Sequence, residues 1–196
     1  MPSKKQLALI SATALLLAAQ AAQAAPQSDE LGAYGGLSVG RSSFSLPSPS
    51  VPVTGKDSRD TAYKLYGGYR LNENFGLEAG YARLGSFSEQ ATLATGAVTQ
   101  EGKASSFYAA ATARHALNEQ FSLQGRLGVA RNKVSGTNLL PAGDSLQGSK
   151  TSLMWGVGAE YKLAKNLALT ADYDNYGKVS SQVKASTFML GARLSF

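Results

Sequence analysis

Apolar and polar residues alternate around three equally spaced short turns, and this pattern most constrains how the chain of 196 residues can fold. The turns have the sequences LNENF, LNEQF and LAKNL, and they begin at residues 71, 117 and 163, each 46 residues after the last. Each is polar in the middle and flanked by alternating sequence, which is typical of a tight turn between two antiparallel strands. The sequence therefore predicts three β-hairpins.

Within these hairpins, every second residue is apolar or aromatic. The apolar rows cover residues 63–69, 107–115 and 153–161 before the turns, and 75–81, 121–129 and 167–173 after them. Charged side chains such as Lys64, Arg114 and Lys162 fall between them. Because side chains alternate between the two faces of a strand, each hairpin has one apolar face and one polar face.

Two further alternating segments, at residues 37–44 and 184–196, raise the number of strands to eight. Longer connections alternate with the tight turns. Three of them are long, at residues 45–60, 88–102 and 135–148, and a shorter one covers residues 178–182. Short periplasmic turns, longer outer loops and spanning strands of about ten residues are typical of a membrane barrel. The predicted fold is all-β, an eight-stranded antiparallel up-and-down transmembrane β-barrel with both ends in the periplasm.

A soluble barrel with a ligand inside would show the same alternation, with its apolar face turned inward. Aromatic residues near both ends of the apolar rows favour the membrane alternative, because membrane barrels carry an aromatic girdle at each interface. Tyr69 and Tyr161 lie beside tight turns, Tyr63 and Tyr173 lie toward the other side, and Phe196 ends the last row. We therefore expect a protein of the bacterial outer membrane.

Residues 1–24 are expected to be a secretory signal peptide, followed by the barrel domain at residues 25–196. Two lysines precede a short apolar run, and small residues predict cleavage between Ala24 and Ala25. Cleavage after Ala21 and an uncleaved membrane helix are the alternatives, although the apolar run is shorter than the roughly 20 residues of a helical span.

The composition excludes several kinds of function. Without cysteine, the chain has no disulfide framework, thiolate metal site or cysteine nucleophile. The net charge is +6, but the basic residues are scattered and an exported chain rarely meets nucleic acid, so nucleic acid is not an expected partner. No cofactor is expected either, since the glycines at 156 and 158 lack the third glycine and the helix of a nucleotide loop.

Several segments resemble the transmembrane domain of OmpA-like proteins. They are YGGYRL at 66–71, FGLEAGYARLG at 75–85, GRLG at 125–128 and GAEY at 158–161. The terminal LSF resembles the C-terminal aromatic signal read by the barrel-assembly machinery. The individual motifs are loose, but their order and spacing cover nearly all of the mature chain. The resemblance stops at the barrel, so no cell-wall-anchoring domain is expected.

The resemblance implies a polar, plugged interior with charged side chains paired across the lumen. Two basic positions of the family's interior cluster are Thr112 and Thr170 here, which argues against a gate-like exchange of ion pairs. With Arg193 on the polar face of the last strand, the expected interior charge network comprises Glu78, Arg126, Glu160, Asp172 and Arg193. Phe196 is the expected assembly signal. The expected partners are outer-membrane lipid and lipopolysaccharide, the assembly machinery with periplasmic chaperones, and a surface ligand of the loops.

Enzymatic chemistry is not expected. A barrel that modifies lipid A would need a histidine with a serine and an acid near the outer leaflet. The single histidine, His115, lies on an apolar row two residues before a tight turn, where other repeats have a girdle tyrosine. Asp172 and Asp174 would suit a metal or acid pair, but lumen residues paired with Arg126 and Lys162 are the favoured interpretation.

An eight-stranded barrel is too narrow for an open channel, because side chains fill it. The sequence therefore favours a structural or surface-interaction role carried by extracellular loops, foremost the proline-bearing connection at residues 45–60. A narrow channel for small solutes is the alternative, and an enzyme acting on lipid A is the more distant one.

Overall fold

The structure, a computed structural model, describes residues 31–45, 53–57, 59–93, 96–137, 148–179 and 183–196; the signal-peptide prediction at residues 1–24 lies outside them. Within these ranges it contains nine strands: β1 (Gly32–Ser45), β2 (Val53–Asp57), β3 (Arg59–Arg70), β4 (Phe75–Leu93), β5 (Gly96–Ala116), β6 (Phe121–Thr137), β7 (Gly148–Ala164), β8 (Leu167–Lys178) and β9 (Lys184–Ser195). No helix in these ranges is long and apolar enough to cross a membrane.

Eight of the described strands close into a barrel in which every neighbouring pair is antiparallel. Strands β3 to β8 each pair with the next in sequence. Strand β1 pairs with β3 on one side and with β9 on the other, from Tyr34 opposite Ser195 to Ser45 opposite Lys184. The short strand β2 pairs with β4 alone. The predicted eight-stranded barrel is confirmed.

Several strands are longer than the ten residues expected from membrane thickness. The connection predicted at 88–102 is mostly an arm formed by β4 and β5, whose pairing continues to Leu93 opposite Gly96. The connection at 45–60 contains β2 and the start of β3, and β6 extends to Thr137 within the third. The predicted bounds of these connections were wrong because ladder hydrogen bonds continue beyond the bilayer wherever two strands stay paired.

The large apolar side chains point outward around the membrane belt. Leu77 is 56% exposed and Leu127 is 59% exposed, while their sequence neighbours on the other face are buried. Such exposure is too extensive for a surface in water and suits a surface in hydrocarbon. The apolar face is therefore the outer one, and the soluble alternative is wrong.

The polarity of the two faces reverses above the outer aromatic girdle, which includes Tyr63, Tyr81 and Phe107. Below this level the wall is apolar outside and mainly polar inside. Above it, exposed polar residues such as Arg41, Thr61, Lys103, Ser43 and Lys133 lie outside. Buried apolar residues lie inside at this level: Phe44, Leu84, Ala104, Val134, Met154, Val179 and Val183. The upper barrel is thus built like a water-soluble barrel with its own apolar core.

Glycine lies opposite several of the largest interior side chains. Gly80 pairs with Tyr108, and a Cβ at residue 80 would lie 2.7–2.8 Å from the tyrosine ring and hydroxyl. Gly156 pairs with Asp174, and Gly158 pairs with Asp172. Because the lumen of an eight-stranded barrel is narrow, a bulky residue on one strand requires a missing side chain on the next.

Candidate functional site

The centre of the lumen holds an ion cluster organised by Arg126. Its guanidinium contacts Glu78 at 2.9 Å, Asp172 at 3.0 Å and Asp174 at 3.3 Å. The Lys64 ammonium contacts Asp174 at 2.7 Å and Asp172 at 3.2 Å. All five side chains are almost fully buried. Each charge therefore has an opposite partner within hydrogen-bond distance, as a buried ionic group requires.

Two tyrosines complete the environment of Glu78. The hydroxyl of Tyr34 donates to one carboxylate oxygen at 3.0 Å, and that of Tyr108 donates to the other at 2.8 Å. The cluster contains three carboxylates and two cations, so it carries one negative charge more than its cations balance. These two hydrogen bonds help to stabilise that extra charge.

A second ion cluster lies nearer the periplasmic end. Glu160 accepts from Arg193 through one oxygen, and its other oxygen lies 3.3 Å from Arg70. Arg193 also donates to the amide oxygen of Gln124. The five residues of the expected network thus belong to two clusters, with Glu78, Arg126 and Asp172 in the centre and Glu160 with Arg193 below.

Some expected partners differ. Lys162 is half-buried and makes no ion pair within the described residues, and the cation beside the aspartates is instead Lys64. Arg114 donates to Ser122 at 3.1 Å, not to an acid. Asp174, already considered as a lumen partner of Arg126, contacts it at 3.3 Å, and Lys64 could be found from the polar phase of its strand. The tyrosines were missed because aromatic residues were assigned to the outer face.

Above the central cluster, the apolar core of the upper barrel fills the lumen. Met154, Met189 and Tyr176 have no exposed surface. The rings of Tyr176 and Tyr108 meet edge to face with centroids 6.1 Å apart. A charged solute would have to displace both this apolar packing and the ion cluster below it, and the conduit alternative is not favoured.

At the outer rim, Asp60 anchors the base of the β4–β5 arm. It accepts from the backbone N–H of Ser86 at 2.6 Å, from the Ser86 hydroxyl at 2.7 Å and from the N–H of Thr61 at 2.7 Å. These hydrogen bonds hold the pKa of Asp60 below its usual value of 3.8. Gly85, with φ of +86°, forms the bulge that turns Ser86 toward this carboxylate.

A band of exposed basic side chains surrounds the outer face just above the girdle. It comprises Arg41, Arg83, Lys103, Arg131, Lys133, Lys178 and Lys184. None of them forms a salt bridge with a described side chain, and Asp60 is the one carboxylate described at this level. We call these seven residues the basic band. Among the described side chains, positive charge exceeds negative charge at the level where polar headgroups meet water.

The arm formed by β4 and β5 rises beyond this band. From Arg83 to Leu93 it extends ten residues, or about 30 Å along the strand. Strand β2 pairs with β4 on the arm and has no described partner on its other side. The upper part of β7, from Gly148 to Thr151, pairs with β6 alone among the described strands. Within the described residues, the raised sheet therefore has two open edges above the membrane.

The residues considered for catalysis, a histidine and two aspartates, lie in different parts of the barrel. His115 is exposed on the outer face near the periplasmic turn and pairs with Leu123 across the ladder. Asp172 and Asp174 are held by Lys64 and Arg126. Among the described residues, no group of three or more His, Cys, Asp or Glu side chains is arranged to hold a metal ion.

This chain belongs to the outer membrane protein beta-barrel domain family, whose model matches residues 11–196. It is therefore a protein of the bacterial outer membrane. It is 38% identical over 80 residues to the attachment invasion locus protein of Yersinia enterocolitica, a match covering 41% of this chain and 42% of that relative. It is 29% identical over 140 residues to the protein of that name from Yersinia pseudotuberculosis, covering 71% and 74%.

Solved structures share the fold at low sequence identity. Ail, the attachment invasion locus protein of Yersinia pestis, solved with the heparin analogue sucrose octasulfate, matches with a TM-score of 0.56 and 23% identity, covering 85% of this chain and 99% of that one. Neisserial surface protein A matches with a TM-score of 0.61 and 19% identity, covering 84% and 97%. OprG of Pseudomonas aeruginosa matches with a TM-score of 0.59 and 15% identity, covering 85% and 97%.

Proposed function

We propose that this protein is a surface-attachment barrel whose basic band and raised sheet bind polyanionic glycans. The observation that carries the proposal is the basic band, seven exposed cations above the girdle with a single described carboxylate beside them. Sulfate and phosphate groups are recognised by arginine and lysine through charge-assisted hydrogen bonds. The relatives named for attachment, one of them solved with a sulfated sugar, support the same chemistry.

The anionic groups have two sources, sulfated polysaccharide on another cell and phosphates of lipopolysaccharide in the protein's own membrane. Arg131 pairs with Phe107 of the girdle across the ladder, and Lys133 lies two residues higher. The lower cation is therefore at headgroup level, whereas the upper one faces water. We propose that the cations at headgroup level, such as Arg131, hold lipopolysaccharide. The higher cations, such as Lys133, and the β4–β5 arm bind glycans from outside.

Binding of the folded barrel to immobilised sulfated polysaccharide tests this proposal, with the barrel held in zwitterionic nanodiscs. The Arg131→Gln and Lys133→Gln double variant should bind several-fold more weakly, and wild-type binding should weaken with salt because exposed charges are screened over about 10 Å at 0.1 M. Lys165→Gln, at the exposed periplasmic turn, is the matched control and should bind as wild type does. Unchanged binding by the double variant would refute the glycan role of the band.

A second comparison separates the two sources of the anionic groups. Nanodiscs containing lipopolysaccharide, or lipopolysaccharide stripped of its phosphates, are compared for retention by wild type and by the double variant. Loss of retention on dephosphorylation supports the membrane source. Equal retention of both lipids contradicts it and leaves the external glycan.

The first outer connection carries a separate contribution. We propose that replacing residues 46–56 with a short Gly-Ser turn leaves the barrel folded but lowers attachment to cells, because the replacement removes most of β2 from the edge of the raised sheet. Attachment is compared at equal barrel levels. Unchanged attachment would assign recognition to the band or to another outer segment.

Other parts of the interpretation are proposals of the same kind. We propose that residues 1–24 are removed on export and that the protein is not an enzyme, with the exposed position of His115 supporting the latter. Phe196 is proposed as the signal for the assembly machinery and its chaperones. In support, its N–H donates to the carbonyl of Ala33 at 2.9 Å, next to the closing seam.

A further inference from the structure

The periplasmic mouth of the barrel contains more positive charge than its buried carboxylate balances. Three arginines, Arg70, Arg114 and Arg193, line a small pocket there together with Thr112 and Gln124. Glu160 is the one buried carboxylate among the described residues that pairs with them, and it is shared by Arg70 and Arg193. A second acid, Glu73, lies on the exposed turn at the rim and forms no described ion pair.

Several guanidinium donors in this pocket have no partner among the described residues. Each arginine carries five N–H groups. Arg114 uses its Nε for Ser122, and Arg70 makes one contact with Glu160. The Nε of Arg193 is buried and has no hydrogen-bond partner within the described residues. An unpaired buried donor is costly, so the Nε of Arg193 favours an acceptor that enters the pocket. The remaining N–H groups of Arg70 and Arg114 are available to the same acceptor.

The surroundings fix the guanidinium groups and so shape the site. The guanidinium carbons of Arg193 and Arg70 lie 4.8 Å and 5.6 Å from the ring centre of Tyr34, which stacks beneath both. The space between the arginines admits about one water-sized group, as the terminal oxygen of an anion would require. Arginine forks are suited to bidentate contact with carboxylate and phosphate oxygens.

We propose that this pocket is a binding site for a small oxyanion, a carboxylate or phosphate group, entering from the periplasm and held by Arg114 with Arg70 and Arg193. The site lies at the opposite end of the barrel from the basic band and does not depend on the attachment proposal. The anion comes from a free ion or from the carboxyl end of a periplasmic peptide.

The test follows arginine Nε signals by NMR, using the full barrel in phosphocholine nanodiscs. Inorganic phosphate and acetate are titrated separately, with chloride at equal ionic strength as the reference. We expect the Nε signals of Arg114 and Arg193 to shift saturably with phosphate or acetate but not with chloride. The signal of Arg126, which is buried in the central ion cluster and does not line the pocket, should follow the chloride reference. Shifts that stay linear with anion concentration, or that chloride reproduces, would overturn the proposal. The titration of the wild-type protein is sufficient for this result, and no variant is needed.

Variants and peptides sharpen the result. Arg114→Gln should weaken anion binding about tenfold, as expected for the loss of a charge-assisted contact, whereas Lys165→Gln, at an exposed periplasmic turn outside the pocket lining, should leave it unchanged. Equal affinities in the two variants would overturn the site. If Arg114→Gln folds poorly, Arg114→Lys takes its place in the test. This variant keeps the charge but loses the planar guanidinium, and it should bind the anion with intermediate affinity. An N-acetyl dipeptide that binds with a free carboxylate but not as its amide identifies a chain end as the source, whereas binding of phosphate and acetate alone identifies a free ion.

Discussion

Tyr34 lies directly across the β1–β3 ladder from Gly68, and its ring occupies the space that a side chain at residue 68 would need. The hydroxyl of this ring reaches Glu78, which in turn contacts Arg126. The absence of a side chain at one position therefore allows the central ion cluster to form several ångströms away.

We predict that Gly68→Ala destabilises the barrel by about 1–3 kcal/mol, the usual cost of overpacking a filled interior. The new Cβ would lie on the ring of Tyr34 and 2.5 Å from the carbonyl oxygen of Leu77. Gly67→Ala, one residue away on the outer face, is the matched control, since its Cβ would have 3.4 Å to its nearest neighbour. Urea midpoints in lipid vesicles measure both, and equal midpoints would contradict the prediction.

Arg126 is predicted to be the most important single charge of the lumen. Arg126→Leu removes the cation that contacts Glu78, Asp172 and Asp174, and we expect a loss of about 3–5 kcal/mol, as when a buried ion pair loses one partner. Arg131→Gln is the control, because that side chain is exposed at the rim. The prediction fails if the two variants unfold at the same urea concentration.

Acid is predicted to loosen the base of the outer arm through Asp60. Hydrogen bonds from Ser86 lower the pKa of this carboxyl in the folded state. The contribution of Asp60 to the stability of the folded arm is therefore full above the ordinary pKa of 3.8 and is lost as pH falls through the lower folded value. Hydrogen exchange at the Ser86 amide, corrected for the intrinsic rate, should therefore lose protection below about pH 4.

The matched variant for this effect is Asp60→Asn, which should reduce protection of the Ser86 amide at neutral pH and remove its acid dependence. The amide of Lys64, which lies deeper in the barrel on the same strand as Asp60, serves as the reference. An acid dependence of Ser86 that persists in Asp60→Asn would assign the titration to another group.

Deletion of Phe196 is predicted to lower the amount of barrel inserted in the outer membrane. The deletion removes the terminal aromatic group and the hydrogen bond from its N–H to Ala33 next to the seam. Phe75→Leu, at an exposed apolar position beside a periplasmic turn, is a control that should insert normally. Normal accumulation of the deleted chain, measured by the shift in gel migration on heating, would rule out the assembly role.

The fold could be predicted because its information is local. A period of two around three spaced turns puts Glu78, Arg126 and Asp172 on the polar face of their strands. The aromatic residues near both ends of the apolar rows then assign the polar face to the lumen. The choice of partner could not be predicted, since Lys64 meets Asp174 across 110 residues of sequence only once the register and tilt of all strands are set. The raised arm was missed because membrane thickness limits only the part of a strand that lies in hydrocarbon.

The seam between β1 and β9 also determines the timing of assembly. Every other pair in the barrel wall joins strands that are neighbours in sequence and can form while the chain is still being delivered. The seam joins the first strand to the last, so a partly delivered barrel has two unpaired edges. In hydrocarbon each unpaired backbone group costs several kcal/mol. We therefore expect a chain arrested before its final strand to be unstable in the bilayer unless its open edges are shielded until the last residues arrive.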